Sequence, residues 1–355
     1  MAPPAPGFKL NANGIPAFED LPLQKTDPYY SAWGLYGAHD ELGTLNRLTD
    51  SRVAAAAASE IQTGRRISLN WPLNAQAQNA FFARRVFEQQ LIRKDPRVVN
   101  DDVWSFNTQV STQWDGLRHY GYQREKRFYN GVTMEDIHGV GEDGRLKSTV
   151  NGIHAWAEQG IVGRGILIDY HSWLLSQPPS PSSPSTTPHD PFTKTPIPLS
   201  SLLACLASQG TVPRFGDILF LRTGFTSQLA SKSPSEILAH QALSPPPFAG
   251  VEPSPELLRW LWSNFSAVAG DQPSFEAWPP DTQKAEGEGE GEGGRPIVLH
   301  EVLLAGWGCP IGELFDLERL AAHCREQKRW SFFVSSEPCN VPGGVASPPN
   351  VLAIF

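Results

Sequence analysis

The chain has no run of 18 apolar residues, no apolar stretch near Met1 and no cluster of lysine and arginine. The first absence excludes a membrane-spanning helix, and the second gives no secretory signal, so a cytoplasmic protein is expected. Without a basic cluster, and with a formal charge of -8 and a pI near 5.6, a nucleic-acid surface is excluded as well. Cysteine is sparse: Cys205, Cys309, Cys324 and Cys339 are widely spaced and form no CxxC pair. That spacing argues against a zinc knuckle or a disulfide framework and for free, mostly buried thiols.

What is present is enough apolar material for a sizeable core, 40% of 355 residues. Two segments cannot contribute to it. The stretch from Gln177 to Pro198 is dominated by Pro, Ser and Thr, and Glu286 to Glu292 is a self-repelling Gly/Glu repeat. They read as flexible inserts at 177–198 and 284–295 within a single domain spanning 1–355, because no other linker divides the chain.

Strands are expected over Ile166 to Tyr170, Ile218 to Thr223, Phe265 to Gly270, Trp330 to Ser335 and Val351 to Phe355. Several are continuous apolar runs, which suits strands covered on both faces. Helix starts are legible between them. Ser233 with Glu236 forms a capping box with proline at the first helical position, and Ser254-Pro255 is a similar start. Asp50 is expected to cap a helix through Ala54 to Ala58, and Ser200 or Ser201 to open one through Ala207. Strands alternating with helices indicate an α/β (α+β) domain, a mixed sheet flanked by helices.

The most informative segment is Gln109-Val-Ser-Thr-Gln-Trp-Asp-Gly-Leu-Arg-His119. It spaces Gln109, Gln113, Asp115 and His119 at even intervals, so in a strand they would share one face. A straight strand would separate the ends by roughly 33 Å. Convergence therefore needs a bend, and Asp115-Gly116 is a turn-forming pair. If Asp115 opens a helix after the turn, it and His119 are i and i+4 on one helical face.

This segment resembles the signature HxGTHxDxxxH of the metal-dependent cyclase family, typified by bacterial kynurenine formamidase and isatin hydrolase. Thr112, Asp115 and His119 match it. Gln109 and Gln113 stand where the family has two ligand histidines, and Ser111 stands where it has glycine. The likeness continues through Asp40 to Asn46, Gly163 to Asp169, Gly216 to Gly224 and the stretch from His300. It implies a sheet flanked by helices, a dimer or larger oligomer, a divalent metal held partly by Asp115, and His119 as general acid/base. It also implies that His300 and Glu313 reach the same pocket from the distal segment; Glu301 is an alternative to either.

An amide oxygen is a neutral, weak ligand, better matched to hard cations than to zinc. The expected metal set is Asp115, His300, Glu313, Gln109 and Gln113 around manganese or zinc; the alternative is that no metal binds. Trp33, Trp114 and Trp307 are candidates for an aromatic wall of the substrate pocket, Arg222 for a carboxylate contact, and His138 and His154 for further lining.

The expected function is hydrolysis of a C–N bond in a small aromatic amide, formamide or lactam, as in an arylformamidase of tryptophan catabolism. A metal-independent lyase, cyclase or dehydratase of secondary metabolism, and a non-catalytic small-molecule binding protein, are the alternatives. The expected partners are a small aromatic substrate and copies of the chain in a dimer or tetramer.

Overall fold

The fold is a computed structural model that describes residues 9–76, 78–178, 189–280 and 295–355. Among them are β1 (Arg66–Ser68), β2 (Glu88–Arg93), β3 (Asn100–Ser105), β4 (Gln113–Asp115), β5 (Ile161–Ile168), β6 (Pro196–Ile197) and β7 (Asp217–Leu221). The chain continues through β8 (Gly250–Val251), β9 (Phe265–Gly270), β10 (Ile311–Glu313), β11 (Ser331–Ser336), β12 (Ala346–Ser347) and β13 (Leu352–Ile354). Nine of these strands form one sheet in the order β1-β13-β11-β5-β7-β9-β10-β4-β12. The pairs β5–β7, β7–β9 and β9–β10 are parallel, and antiparallel strands extend the sheet on both sides.

The parallel centre follows from the apolar runs. In β5, β7 and β9 successive side chains enter opposite cores: Ile166, Ile168, Leu219, Leu221 and Val268 on one face, Leu167, Ile218, Phe220, Ala267 and Ala269 on the other. A strand buried on both faces needs apolar residues at every position. The helices Leu199–Ser208 and Pro255–Asn264 send Leu202, Leu257 and Leu261 into the first core, and Glu318–Gln327 sends Leu320 and Ala321 into the second. The sheet is therefore mixed and flanked by helices, as the sequence predicts.

The starts at Ser233 and Ser254 are as predicted, each hydroxyl accepting from a backbone N–H three residues on. Two caps differ. Thr49, not Asp50, accepts from Arg52 N and opens Asp50–Glu60, and the helix predicted from Ser200 or Ser201 begins at Leu199 after Pro198. The insert predicted at 177–198 is docked at its end: Phe192 stacks on Phe225 at 4.8 Å, and β6 pairs with β8. Of that insert 179–188, and of the second insert 284–294, lie outside the described residues.

One buried ionic network fixes the edge of the parallel centre. Arg164 on β5 donates to Glu60 at 3.1 Å and to Asp217 at 2.6 Å, and Arg329 and Ser331 also donate to Glu60. Burial pushes the Asp217 carboxyl up to about 6, against the pull of Arg164. Replacing one partner of such a pair leaves an uncompensated charge, which costs about 3–5 kcal/mol. Arg164→Leu should lose that amount in urea denaturation at pH 7. A carboxyl whose folded pKa is raised costs stability once pH passes its unfolded value, so the loss should shrink as pH falls toward 4. A pH-independent loss below about 1 kcal/mol would show that the network contributes little.

Candidate active site

Pairing of β4 with β10 sets Gln113 opposite Glu313, Trp114 opposite Gly312 and Asp115 opposite Ile311. Gln113 and Asp115 thus share one face and Trp114 takes the other. Gly312 is required there, because a Cβ would lie within 2.8 Å of Phe315, Ala269 and Trp114. Asp115 pairs on its other side with Ala346 of β12. Held from both edges, it stays in the strand, so the predicted helix from Asp115 to His119 does not form. A turn replaces it, closed by His119 N donating to Gly116 O at 3.0 Å. The bend still works as expected, for the His119 imidazole returns to 3.8 Å from Asp115 Oδ2.

The two glutamines hold carboxylates. Gln109 Nε2 donates to Asp115 Oδ1 at 2.7 Å and lies 3.2 Å from His119 Nε2, while Gln113 Nε2 donates to Glu313 Oε2 at 2.8 Å. Their amide N–H groups face the acids, and Gln113 Oε1 is left without a donor among the described residues.

From the distal half comes His300, at the start of the π-helix Glu301–Trp307. Its Nδ1 donates to Glu276 Oε2 at 2.8 Å, and its Nε2 lies 3.3 Å from Glu313 Oε1. Burial opposes charge on His300, but Glu276 and Glu313 outweigh it and hold the imidazole pKa well above its ordinary value. Burial lowers the pKa of His119, with Asp115 opposing. Glu313 is lifted to about 7 by burial and by the nearby Asp115, against the pull of His300. Glu301 faces away, accepting from Tyr29 Oη and Gln123 N.

His119, His300 and Glu313 line a cavity of about 220 Å³ whose walls include Phe82, Tyr120 and Trp278. The rings of Tyr120 and Trp278 stand 5.4 and 6.4 Å from that of His300. The aromatic wall is therefore not the predicted one. Trp114 is fully buried against Phe315 and donates to Ser336, Trp307 is buried and donates to Tyr30 O, and Trp33 donates to Ala305 O. All three are held by packing away from the cavity. Arg222 is spent on Asp169 and on a two-pronged pair with Glu318. His138 and His154 do not line the cavity. A larger cavity of about 460 Å³ beside Phe81 and Leu229 has no titratable side chain in its walls.

Asp115, His119 and His300 offer ligand atoms that all lie within 4.8 Å of one another. A carboxylate with two imidazoles is a donor set for zinc or manganese. Asp115 Oδ2 and Gln113 Oε1 are buried without a hydrogen-bond donor among the described residues. Glu276 on Nδ1 leaves Nε2 as the ligating atom of His300, the arrangement that orients metal-bound imidazoles elsewhere. The residues fit a divalent cation.

Sequence reasoning missed Glu276, Tyr120, Trp278, Phe82 and Arg84. The signal for Glu276 and Trp278 is their place just beyond β9, since ligands in open α/β sheets bind outside the carboxyl ends of parallel strands.

Comparison with known proteins agrees with this geometry. The Cyclase family model, described as "Putative cyclase", matches residues 29–277. A crystal structure of a novel cyclase is 27% identical, with a TM-score of 0.74, covering 92% of this chain and 99% of that one. Isatin hydrolase A from Ralstonia solanacearum shares the fold at 15% identity and a TM-score of 0.52, covering 86% and 98%. Isatin hydrolase A from Labrenzia aggregata, bound to benzyl benzoate, does so at 15% and 0.50, covering 87% and 98%. No curated protein matches the sequence. With the match spanning most of its length, the chain belongs to the cyclase family.

Proposed function

We propose that the protein is a hydrolase of the C–N bond in a small aromatic amide, formamide or lactam, the class to which an arylformamidase belongs. The convergence of Asp115, His119 and His300 beside Glu313, in a cavity walled by Phe82, Tyr120 and Trp278, carries this reading. The kinship of fold with isatin hydrolases supports it.

A divalent cation held by Asp115, His119 and His300 would supply polarisation of the carbonyl and acidification of water. The remaining chemistry belongs to the chain. Phe82 and Trp278, in edge contact at 5.9 Å, offer apolar faces to a flat ring. Glu313, 3.3 Å from His300 Nε2 and lining the cavity, is placed to carry a proton, and burial raises its pKa above the ordinary carboxylate value. As carboxylate it takes a proton from water as the water oxygen bonds to the carbonyl carbon. When the C–N bond breaks it returns that proton to the leaving nitrogen, giving an acid and an amine. The roles expected of His119 and Glu313 thus exchange: His119 joins the ligand set, and Glu313 carries the proton. Gln113, donating to Glu313, fixes the carboxyl in place.

Two substitutions test this on a panel of aryl formamides and lactams. His119→Ala should remove one imidazole from the ligand set, lowering both metal content by elemental analysis and turnover. Full activity with no bound metal would favour a lyase or cyclase instead. Glu313→Gln should lower kcat by about 10²- to 10⁴-fold while metal content stays. Ionised Glu313 is the active form, so wild-type kcat/KM should rise with pH as Glu313 loses its proton, and the variant should lose that rise. A Glu313→Gln profile identical to wild type would rule out Glu313 as the proton carrier.

A further inference from the structure

Phe82 and Ala83 both have positive φ, 60° and 53°, a conformation that side chains resist and that persists where surrounding structure imposes it. Its effect is to turn Phe82 and Arg84 into the cavity that holds His119, His300 and Glu313. Arg84 is anchored twice. Its Nη1 donates to Gln109 O at 2.9 Å, and its guanidinium carbon lies 5.1 Å from the centre of the Phe82 ring.

The guanidinium acts on Glu313 through its charge but touches no anion among the described residues. Among the described residues no carboxylate pairs with Arg84, and Nε and Nη2 have no acceptor. The contrast with Arg222, Arg164 and Arg329 is plain, for each of those is paired with a buried carboxylate. The acids inside are taken up as well: Glu276 and Glu313 meet across His300, and Asp115 is held by Gln109. Arg84 is half-buried whereas Glu313 is fully buried, so the guanidinium stands at the mouth and the proton carrier lies deeper. Two adjacent N–H donors on a planar fork match a carboxylate.

We propose that Arg84 is the specificity-determining residue of this cavity and that the substrate is a single-ring aromatic amide carrying a carboxylate, seated with the carboxylate on Arg84 and the ring against Phe82 and Trp278. The inference rests on the reading that this cavity is the substrate site. Its volume of about 220 Å³ lies below the range of about 300–1,000 Å³ typical of drug-sized pockets, which limits the occupant to one ring with short substituents.

Isothermal titration with phenylacetate and phenylacetamide, alike in ring and reach but different in charge, tests it. The wild-type protein should bind phenylacetate about tenfold more tightly than phenylacetamide, as expected for a charge-assisted pair. In Arg84→Gln the ratio should fall to about one, and Arg84→Lys should keep an intermediate preference, as a point charge without the fork. Arg93→Gln, an exposed cation on the β2–β3 hairpin, should leave the ratio unchanged. An unchanged ratio in Arg84→Gln, or equal wild-type affinity for the two probes, overturns the proposal. Because titration reads binding without turnover, an intact preference in a protein that cleaves no amide would sink the hydrolase reading and leave Arg84 standing. Cleavage of neutral aryl amides with no carboxylate preference would do the reverse.

Discussion

A three-residue antiparallel pairing, Gln113–Asp115 against Ile311–Glu313, is the contact on which the site depends. It joins positions 200 residues apart in sequence, places Gln113 directly across from Glu313, and leaves Asp115 within reach of both His119 and His300. Period-two alternation does the rest, sending the polar side chains of β4 to the cavity and Trp114 to the core. A slip of one residue would exchange the two faces and bury the acids against Phe315.

Much of the fold is legible because burial on both faces demands unbroken apolar runs. Phe265–Gly270 is a strand with the predicted ends, and the helix starts at Ser233 and Ser254 are set by local hydrogen bonds that the sequence spells out. Local signals mislead where tertiary contacts compete. Asp115 has the composition of a helix cap, yet two neighbouring strands claim its backbone. Spacing pairs Asp115 with His119, whereas His300 and Glu313 are legible only through the family resemblance. The aromatic walls are harder to read, because residue type alone does not separate a tryptophan packed in the core, such as Trp114, from one lining a cavity, such as Trp278, whose signal is its place after a parallel strand. The partners that complete the site, Glu276 and Arg84, lie in loops, where spacing carries no periodic signal.

Glutamine at 109 and 113 changes the character of the cavity more than its shape. Where the family signature has imidazoles, this chain has primary amides whose N–H groups donate to Asp115 and Glu313. An amide adds no charge and does not titrate. Burial and Asp115 raise the Glu313 pKa, while His300 and Arg84 lower it, with no charge contributed by the two amides. His119 and His300 are the imidazoles that remain beside Asp115, and the site has been rebuilt around them.

The sheet also dictates when the protein can work. Its edge strand β1 is paired by β13, β4 is covered on its outer side by the edge strand β12, and Glu276, His300 and Glu313 all follow Asp115 by more than 150 residues. During synthesis the segment bearing Asp115 and His119 leaves the ribosome long before its partners exist, with its backbone donors and acceptors unmatched. The site is thus incomplete until the segment bearing Glu313 has been made, and for that interval the exposed strand must be kept from pairing with its neighbours.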